Sequence, residues 1–455
     1  MKRIAVLPFL SFFLLIGTVQ LSPGQLIVSE TASKSNVKLN RERGINMLNE
    51  IKDVLKERYY DKNFRGIDLD SRFKAAEERI NAMEANWQIF RAIAQVLIEF
   101  DDSHTLFYPP NRANRVEYGF TMQMIGANCF VTDVKKGSDA EAKGLKIGDR
   151  IVAIGDYIPT RENLWKLNYI LYALDPQESI KLSVESPDKT SRAFLVTAKF
   201  KSIDERRKET EKRKSDKREN PYKCVAINAD AGACRLETFS VDKKYIDKMM
   251  SEASKYKKLI LDLRGNGGGY VKIEEYLVGH FFDREIKIAD FVIRGKSKPR
   301  VAKVQDDRAF KGELIVLIDS DSASASEVFS RVIQLEKRGK IVGDVSAGAV
   351  MTSNFITMTN SRGVPGYETV SFFGMNVTVA DLIMSDGKRL EKVGVIPDHP
   401  VGPTGYALQN GADPVMAFAA DLMGVKISAA DAGKFKFIGK KAEDDDKEDD
   451  GETEN

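Results

Sequence analysis

The sequence predicts a multidomain α/β protein in which a helical region and a β-rich unit precede an α/β core. At 455 residues and 50.9 kDa the chain is too long for one compact core, so two or three domains are expected. Residues 221–425 alternate short apolar strands with helical stretches, which predicts an α/β layer with a largely parallel sheet. Residues 112–200 instead combine short strands with glycine turns, which indicates a separate β-rich unit.

The chain begins with the pattern of a secretory signal. Lys2 and Arg3 precede an apolar run over residues 4–19, and Ser22-Pro23-Gly24 follows with small and turn-forming residues. We therefore expect residues 1–24 to direct export, to the periplasm or the extracellular space. The apolar run is near the lower length limit of a membrane span, so an uncleaved anchor, and with it contact with a membrane, is the alternative.

Residues 36–105 form the predicted helical domain. Its apolar residues recur at helical spacing: Ile45, Leu48, Ile51, Val54, Leu55, Trp87, Phe90, Ile93, Ala94, Leu97 and Ile98. The polar residues 25–40, which overlap its start, are expected to be disordered. The charged residues 201–220 are expected to form a solvated linker, and the acidic residues 440–455 a disordered tail.

Within the β-rich unit and the core, short patterns predict individual elements. A helical stretch is expected at 164–174 and a strand at 180–184. The core should contain the strands 259–263, 314–318 and 341–342, and the helices 243–255, 272–282 and 326–337.

Composition excludes several classes of function. A net charge of +3 on a chain of this size predicts no strong attraction to nucleic acid. The three histidines lie at no spacing typical of metal ligands, and no cofactor motif is present, so no metal and no cofactor are expected. Cys224 and Cys234 are the plausible disulfide pair of an exported protein, although two small buried thiols would fit the sequence equally well.

The first candidate functional motif is a glycine-rich turn over residues 262–269, Asp-Leu-Arg-Gly-Asn-Gly-Gly-Gly. Glycines at the end of a buried strand allow backbone N–H groups to approach a ligand or a developing oxyanion. Neither a phosphate loop nor a dinucleotide fingerprint has this spacing. A tight turn between a strand and a helix is the structural alternative.

The second motif is Ser322-Ala323-Ser324-Ala325-Ser326-Glu327, between a predicted strand and a predicted helix. A serine at this junction places its hydroxyl at a helix amino terminus, where free N–H groups and the helix dipole stabilise negative charge, as a nucleophile requires. The spacing of Ser324 and Glu327 is also that of a capping box, which is a common structural device.

An activated serine needs a base that a further polar group orients. His104 follows Asp101, Asp102 and Ser103 at the end of a helix, whereas His280 and His399 lie in an apolar helix end and a turn. Glu391 precedes the segment Val393-Gly394-Val395-Ile396-Pro397-Asp398 and could orient such a base, or it could be an exposed loop acid.

Taken in this order, these segments resemble the tail-specific (C-terminal processing) serine protease family. The resemblance rests on the turn at 262–269, on Ser324-Ala325-Ser326-Glu327 and on Gly394-Val395-Ile396-Pro397-Asp398, and it covers residues 110–402. It implies a protease core over residues 221–425 with the mixed sheet and helices of ClpP and crotonase. It also implies a PDZ-like domain over residues 112–200.

The family has two catalytic arrangements, and the resemblance favours one of them. Where one branch has its lysine base, this chain has Ala349 in the segment Gly343–Ala349. In the tricorn-type branch the base is instead the histidine of an upstream Ser-His pair, and a glutamate orients it. This chain supplies both, as Ser103-His104 and Glu391.

The resemblance implies an exported serine endopeptidase with Ser324 as nucleophile, His104 as base, and Glu391 orienting the base through Ser103. Backbone N–H groups of Ala325 and of Gly267 or Gly268 would form the oxyanion hole. Tyr118-Gly119-Phe120-Thr121 would capture the terminal carboxylate of a protein or peptide substrate in the PDZ-like domain.

Two other functions stay open at this point. A catalytically inactive peptide-binding scaffold would keep the same fold, and a binder of lipophilic ligands is suggested by fold analogy to the repeats of interphotoreceptor retinoid-binding protein. Whether the chain forms an oligomer does not follow from the sequence.

Overall fold

The structure is a computed structural model that describes residues 23–110, 114–202, 204–205, 207–208, 220–305, 309–364 and 367–437. For residues 23–35, 114 and 360–371 only the backbone is described. Residues 1–22 of the predicted signal, most of the charged linker and the whole predicted tail 440–455 lie outside the described residues. In the described part, no helix has both the length and the apolar character that crossing a membrane requires.

The amino-terminal region is helical, as predicted. It contains α1 (Pro23–Arg58), α2 (Leu69–Asn81) and α3 (Asn86–Ile98), which pack their apolar faces together. The expectation of disorder over residues 25–40 is wrong, because α1 runs through them without interruption. Polarity alone does not break a helix, and between Gly24 and Gly44 this segment contains no proline and no glycine.

The β-rich unit is an antiparallel sheet that follows the short strand β1 (Leu106–Tyr108). Its strand order is β3-β4-β5-β6-β7, and β2 pairs with β8 beside it. The strands are β2 (Asn114–Glu117), β3 (Phe120–Ile125), β4 (Asn128–Val134), β5 (Arg150–Ile154), β6 (Ser179–Glu185), β7 (Ser191–Thr197) and β8 (Lys199–Ser202). The helices are α4 (Asp139–Ala142) and α5 (Leu164–Tyr169), which continues as a π-helical turn over Ile170–Leu174. The predicted helix at 164–174 and strand at 180–184 are confirmed.

The core contains a six-stranded sheet of order β18-β15-β14-β11-β10-β9. All neighbouring strands run parallel except β9 and β10, which confirms the predicted parallel layer. Its strands are β9 (Tyr222–Ala226), β10 (Ala231–Leu236), β11 (Lys258–Asp262), β14 (Glu313–Ile318), β15 (Lys340–Gly343) and β18 (His399–Pro400). Its helices are α6 (Lys243–Ala253), α7 (Val271–Gly279), α8 (Ala325–Leu335), α9 (Gly405–Gln409), α10 (Pro414–Leu422) and α11 (Ala429–Gly433).

A second sheet joins the core to the helical region. It contains β1, β12 (Ile286–Ile293), β13 (Lys296–Ala302), β16 (Thr352–Val364) and β17 (Tyr367–Met384). The long β17 pairs with β1, β12 and β16. One face of this sheet packs on α1–α3 through Phe107, Met358 and Met375, so β1 is held beside the core although the two are distant in sequence.

The cysteine pair of the core is a disulfide. Cys224 and Cys234 lie directly opposite each other on the antiparallel strands β9 and β10, and their sulfurs are bonded. The sequence allowed either a disulfide or two buried free thiols, and the structure contains the disulfide. Cys129 is a buried free thiol.

The parallel sheet decides where the functional segments meet. The carboxyl ends of β11, β14 and β15 continue into the turn at 263–269, the segment 319–324 and the segment 344–350. Because neighbouring parallel strands end at the same edge of a sheet, these three segments lie side by side.

Candidate active site

Ser324 occupies a strained turn between β14 and α8. Its backbone has φ +54° and ψ −117°, a conformation that residues other than glycine rarely adopt. Its hydroxyl accepts no hydrogen bond from the first turn of α8, so it does not act as a helix cap. The structure thus presents this hydroxyl at a helix amino terminus, where the dipole favours negative charge.

The glycine turn that follows β11 is fixed by a buried ion network. Arg264 donates to both carboxylate oxygens of Asp413, at 2.9 and 2.7 Å, and also to Asp262 at 2.9 and 2.6 Å. The guanidinium and both carboxylates are almost completely buried, and such pairing is what makes buried charges tolerable. Asp262 and Arg264 therefore shape the turn instead of contributing to the chemistry directly.

Asn266 connects the glycine turn to the serine segment. Its side chain accepts from the Gly268 amide at 2.9 Å and donates to the Leu236 carbonyl at 2.9 Å. Its own carbonyl accepts from the Ala323 amide at 3.0 Å and from the Ser326 hydroxyl at 2.8 Å. The turn and the serine segment consequently behave as one unit.

The two candidate glycines of the oxyanion hole differ in their surroundings. A Cβ on Gly268 would lie 2.8 Å from the Ser324 Cβ and 3.0 Å from the Ala325 nitrogen, and φ is +94° there. Glycine is required at this position for close approach. The Gly268 amide is already bonded to Asn266, whereas Gly267 is exposed and a Cβ there would meet open space.

Glu327 does more than cap its helix. Its carboxylate accepts from the Ser324 amide at 2.9 Å, which is one half of a capping box. It also accepts from the Ser346 hydroxyl at 2.6 Å and from the amides of Gly348 and Ala349 at 2.7 and 3.0 Å. Burial raises its pKa to about 7 against these four donors, which lower it. Glu327 therefore links the segment 344–350 after β15 to the backbone of Ser324 through hydrogen bonds.

The histidine, its neighbouring serine and the glutamate predicted from sequence form one hydrogen-bonded chain. The Ser103 hydroxyl donates to Glu391 Oε2 at 2.8 Å, and the Ser103 amide donates to Oε1 at 2.8 Å. The same hydroxyl lies 2.7 Å from His104 Nδ1. Because its single proton goes to the carboxylate, the hydroxyl accepts from Nδ1–H, and this tautomer leaves Nε2 free to take a proton.

Asp102 fixes the loop that carries this histidine. The buried carboxylate accepts from the Tyr59 hydroxyl at 2.8 Å and from the Thr378 hydroxyl at 3.0 Å. It also accepts from the amides of His104 and Thr105, at 3.0 and 2.6 Å, and from the Thr105 hydroxyl at 2.9 Å. One side chain thus joins the residue that follows α1, the strand β17 and the histidine loop.

A single peptide unit connects the serine to the glutamate. The Ala349 carbonyl accepts from the Ser324 amide at 2.9 Å, and the amide of the same peptide unit, that of Val350, donates to Glu391 Oε2 at 2.9 Å. Ser324 and Glu391 therefore flank one peptide unit. Within the described residues, the Ser324 hydroxyl and the His104 ring form no direct hydrogen bond; such contacts are often long before substrate binds.

Burial shifts the pKa values of His104 and Glu391, the two titrating groups bonded to Ser103. It lowers the pKa of His104, while the nearby Asp102 charge opposes this shift. It raises the pKa of Glu391, against the bonds that the carboxylate accepts from Val350 and Ser103. A lowered histidine pKa keeps the imidazole neutral near pH 7, which is the form that can accept a proton.

The residues predicted to capture a carboxylate lie at the start of β3. Tyr118 is buried and bonded through its hydroxyl to the backbone of Gln177, and Gly119 has φ +76°. Phe120 and Thr121 are the first residues of β3, which pairs with β4 on one side. These four residues lie in the PDZ-like unit and contribute no hydrogen bond to the Ser324 region among the described contacts.

The same unit docks beside the active site. Gln123 donates to Asp319 at 2.8 Å, the Gly126 amide donates to Asp344 at 2.7 Å, and Ser320 donates to the Met124 carbonyl at 2.6 Å. These core residues lie at the ends of β14 and β15, directly before the segments that hold Ser324 and Ala349. The edge of the PDZ-like sheet and the catalytic segments are therefore neighbours.

Comparison with known proteins agrees with this geometry. The family model "Peptidase family S41" matches residues 230–401, and the model "PDZ domain" matches residues 111–184. The S41 match runs from β10 to β18 of the core, and the PDZ match covers most of the β-rich unit. The chain is therefore similar to peptidases of family S41 that have a PDZ domain, and these matches indicate a serine-type peptidase, a hydrolase of peptide bonds.

Curated relatives match most of this chain. A chloroplastic C-terminal processing peptidase of Tetradesmus obliquus is 26% identical over 370 residues, which span 76% of this chain and 74% of the relative. A tail-specific protease of Haemophilus influenzae is also 26% identical, over 71% of this chain and 49% of its own length. The solved structure of mature CPAF complexed with lactacystin has a TM-score of 0.63 at 13% identity and covers 82% of this chain and 96% of that one, which shows the shared fold.

Sequence reasoning missed three residues whose side chains hold the site together. Asn266 was taken as part of a glycine turn, Asp102 as one acid in a cluster, and Glu327 as a cap only. Asp102 and Glu327 could have been suspected, because each is an acid beside a candidate catalytic residue. Their partners, however, come from distant parts of the chain and have no pattern in sequence.

Proposed function

We propose that this protein is an exported serine endopeptidase in which Ser324, His104, Ser103 and Glu391 form the catalytic machinery. The observation that carries the proposal is the peptide unit between Ala349 and Val350, which is bonded to the Ser324 amide on one side and to Glu391 on the other. It places the ends of the serine and histidine networks next to each other.

In the proposed reaction the Ser324 Oγ attacks a peptide carbonyl while His104 Nε2 takes the hydroxyl proton. Glu391 acts through Ser103, whose hydroxyl holds the Nδ1–H tautomer, and its charge stabilises the imidazolium. His104 then gives its proton to the leaving amine, and water hydrolyses the acyl-enzyme by the same steps in reverse order. In this proposal the base is not a lysine, because Ala349 stands where the lysine branch of the family has its base.

The oxyanion is proposed to bind the amides of Ala325 and Gly267. Ala325 is the first residue of α8, where amides have no partner within the helix. Gly267 is preferred to Gly268, since the Gly268 amide is committed to Asn266. Removing one donor of this kind costs about 2.7–4 kcal/mol of transition-state stabilisation.

We propose protein or peptide substrates that are recruited by their C-termini. Relatives named for C-terminal processing support this substrate class, as does a PDZ-like unit that contacts the core beside Ser324. The basic and apolar residues at the start of the sequence support export to the periplasm or the extracellular space.

The test combines labelling and cleavage. The purified protein should react with a fluorophosphonate at Ser324, as mass spectrometry of the labelled peptide would show, and it should cleave peptides of random sequence. Ser324→Ala should abolish both, and His104→Ala should lower cleavage by roughly 10⁶-fold, as loss of the base does in serine proteases.

The lysine branch offers a control. Lys392 lies next to Glu391 in sequence, and Lys392→Met should retain most of the activity if no lysine is the base. An inactive scaffold would show neither labelling nor cleavage. Retained cleavage in Ser324→Ala would contradict the proposal.

A further inference from the structure

One face of the second sheet presents exposed aromatic side chains on the strands that follow the catalytic segments. The other face packs on the helices α1–α3 through alternate residues of β1, β16 and β17. On the open face the apolar residues are Leu106, Tyr108, Phe355 and Phe372, which we call the aromatic face; Gly374 and the polar residues Asn376, Thr357 and Thr359 lie among them. The registers of β1 with β17 and of β16 with β17 place them in successive rows of the same sheet surface.

The aromatic face is exposed to an unusual degree for such side chains. The exposed fraction is 60% for Phe355, 58% for Phe372 and 36% for Tyr108. The rings of Tyr108 and Phe355 meet edge to face with centroids 5.4 Å apart. The Phe355 ring lies over Gly374, where a Cβ would come within 2.6 Å of it. The Tyr108 and Phe355 rings therefore support each other while staying exposed to solvent.

The aromatic face begins at the catalytic loop. Leu106 and Tyr108 are two and four residues after His104, and side chains two apart on a strand share a face and are separated by about 7 Å. The strand of Phe355, β16, starts three residues after Ala349. Both strands thus lead away from the site in the same direction, and a bound peptide of a few residues is long enough to reach from one to the other.

We propose that the aromatic face binds apolar side chains of the substrate segment on the leaving-group side of the cleaved bond. This inference rests on the proposed function, in which His104 returns its proton to the leaving amine and so lies on that side. Leu106 and Tyr108 continue the surface from His104, so the residues that follow the cleaved bond are the ones that meet it. Apolar residues at the second to fourth positions after the bond are accordingly preferred.

A second copy of the chain is a weaker candidate for the same surface. With ~200 Å² for each aromatic side chain, the exposed parts of the three rings amount to roughly 300 Å². A stable interface buries about 800 Å² on each partner. The surface is sufficient for a few substrate side chains.

The experiment uses the wild-type protein, Phe355→Ser and the control Leu195→Ser. Leu195 lies on β7 of the PDZ-like unit and is 57% exposed, so the control removes a similarly exposed apolar side chain elsewhere. The substrates are peptides with an amidated C-terminus whose cleaved bond is mapped with the wild type. Each has either Leu or Ser at the second to fourth positions after that bond, and Leu or Ser before it in a parallel series.

For peptides that differ after the cleaved bond, we expect the wild type and Leu195→Ser to have a kcat/KM at least tenfold higher with Leu than with Ser, which corresponds to ~1.4 kcal/mol. Phe355→Ser should reduce this preference below about threefold while its preference before the bond and its unfolding temperature stay unchanged. An unchanged preference in Phe355→Ser would overturn the inference and leave the peptidase proposal intact. The inference would also be overturned if Phe355→Ser sedimented as a monomer where the wild type sediments as a dimer and kept the preference for Leu after the bond, since the aromatic face would then join two copies of the chain. A wild type that cleaves nothing and resists labelling would overturn the proposed function itself.

Discussion

The two halves of the active site are built in opposite ways. The nucleophile half takes Ser324, the glycine turn and Glu327 from one α/β core, at the ends of neighbouring parallel strands. The base half takes His104 from a loop between the helical region and β1, and it depends on Asp102, whose donors come from Tyr59 after α1, from β17 and from the loop itself. The first half is assembled from neighbouring strand ends of one sheet, whereas the second exists only when parts of the chain 288 positions apart come together.

This difference teaches where the catalytic arrangement is vulnerable. The serine turn is held by bonds to Asn266 and Glu327, both close to it in the core, and should withstand changes elsewhere. The histidine depends on contacts outside the core, so substitutions there should reduce the rate without altering the serine. Four substitutions, one of them a control, and one pH titration test this contrast.

The largest effect is expected at the link between the imidazole and the glutamate. Glu391→Gln keeps the shape of the side chain but removes the charge that stabilises the imidazolium, and Ser103→Ala removes the hydroxyl that joins the two groups. Replacing the orienting acid of a triad lowers kcat by roughly 10⁴-fold, and we expect a fall of this order for Glu391→Gln and a smaller one for Ser103→Ala. Steady-state kinetics on a fluorogenic peptide would measure both.

These two variants should also separate kcat from KM. Neither residue is proposed to contact the substrate, so KM should change little. Activity of Glu391→Gln within about threefold of wild type would mean that the glutamate serves the fold alone. The His104 side would then need a different orienting group.

A smaller effect is expected from Tyr59, which directly follows α1 and lies outside the core. Its hydroxyl donates to the buried Asp102 at 2.8 Å, and Tyr59→Phe leaves that carboxylate short of one donor. We expect the free energy of unfolding to fall by about 1–3 kcal/mol and kcat to fall severalfold, because the histidine loop loosens. Denaturant titration and kinetics together measure the two losses.

The control for Tyr59 lies on the nucleophile half. Tyr222 on β9 makes the same kind of bond, to Glu252 at 2.8 Å, without contact with the histidine loop. Tyr222→Phe should lower stability but leave kcat unchanged. Equal kcat losses in the two variants would show that catalysis follows overall stability and that the base half has no special dependence on distant contacts.

The same contrast explains what could be predicted from sequence. The strand–turn–helix units around residues 262–269 and 319–327 have clear patterns, and the predicted strands and parallel order are confirmed. The second sheet was not predicted, because β17 gains its role from pairing with β1, which lies about 270 residues earlier (Leu106 pairs with Asn376). His104 and Glu391 were proposed through a family resemblance, since no local pattern shows that a loop at 103–104 meets a carboxylate 288 positions away.

The smallest effect concerns pH, and it bears directly on the base half. Catalysis needs neutral His104, so activity is present above the folded-state pKa of this group and is lost as the pH falls through it. Burial lowers that pKa from the ordinary value of about 6.5, so the acid limb of kcat/KM should lie below pH 6.5. A pH–rate profile of the wild type measures it, and a limb at or above 6.5 would contradict a buried imidazole base. In Tyr59→Phe, whose loosened loop admits water, the limb should move up toward the ordinary value, whereas in Tyr222→Phe it should stay where it is, because nothing around the imidazole has changed.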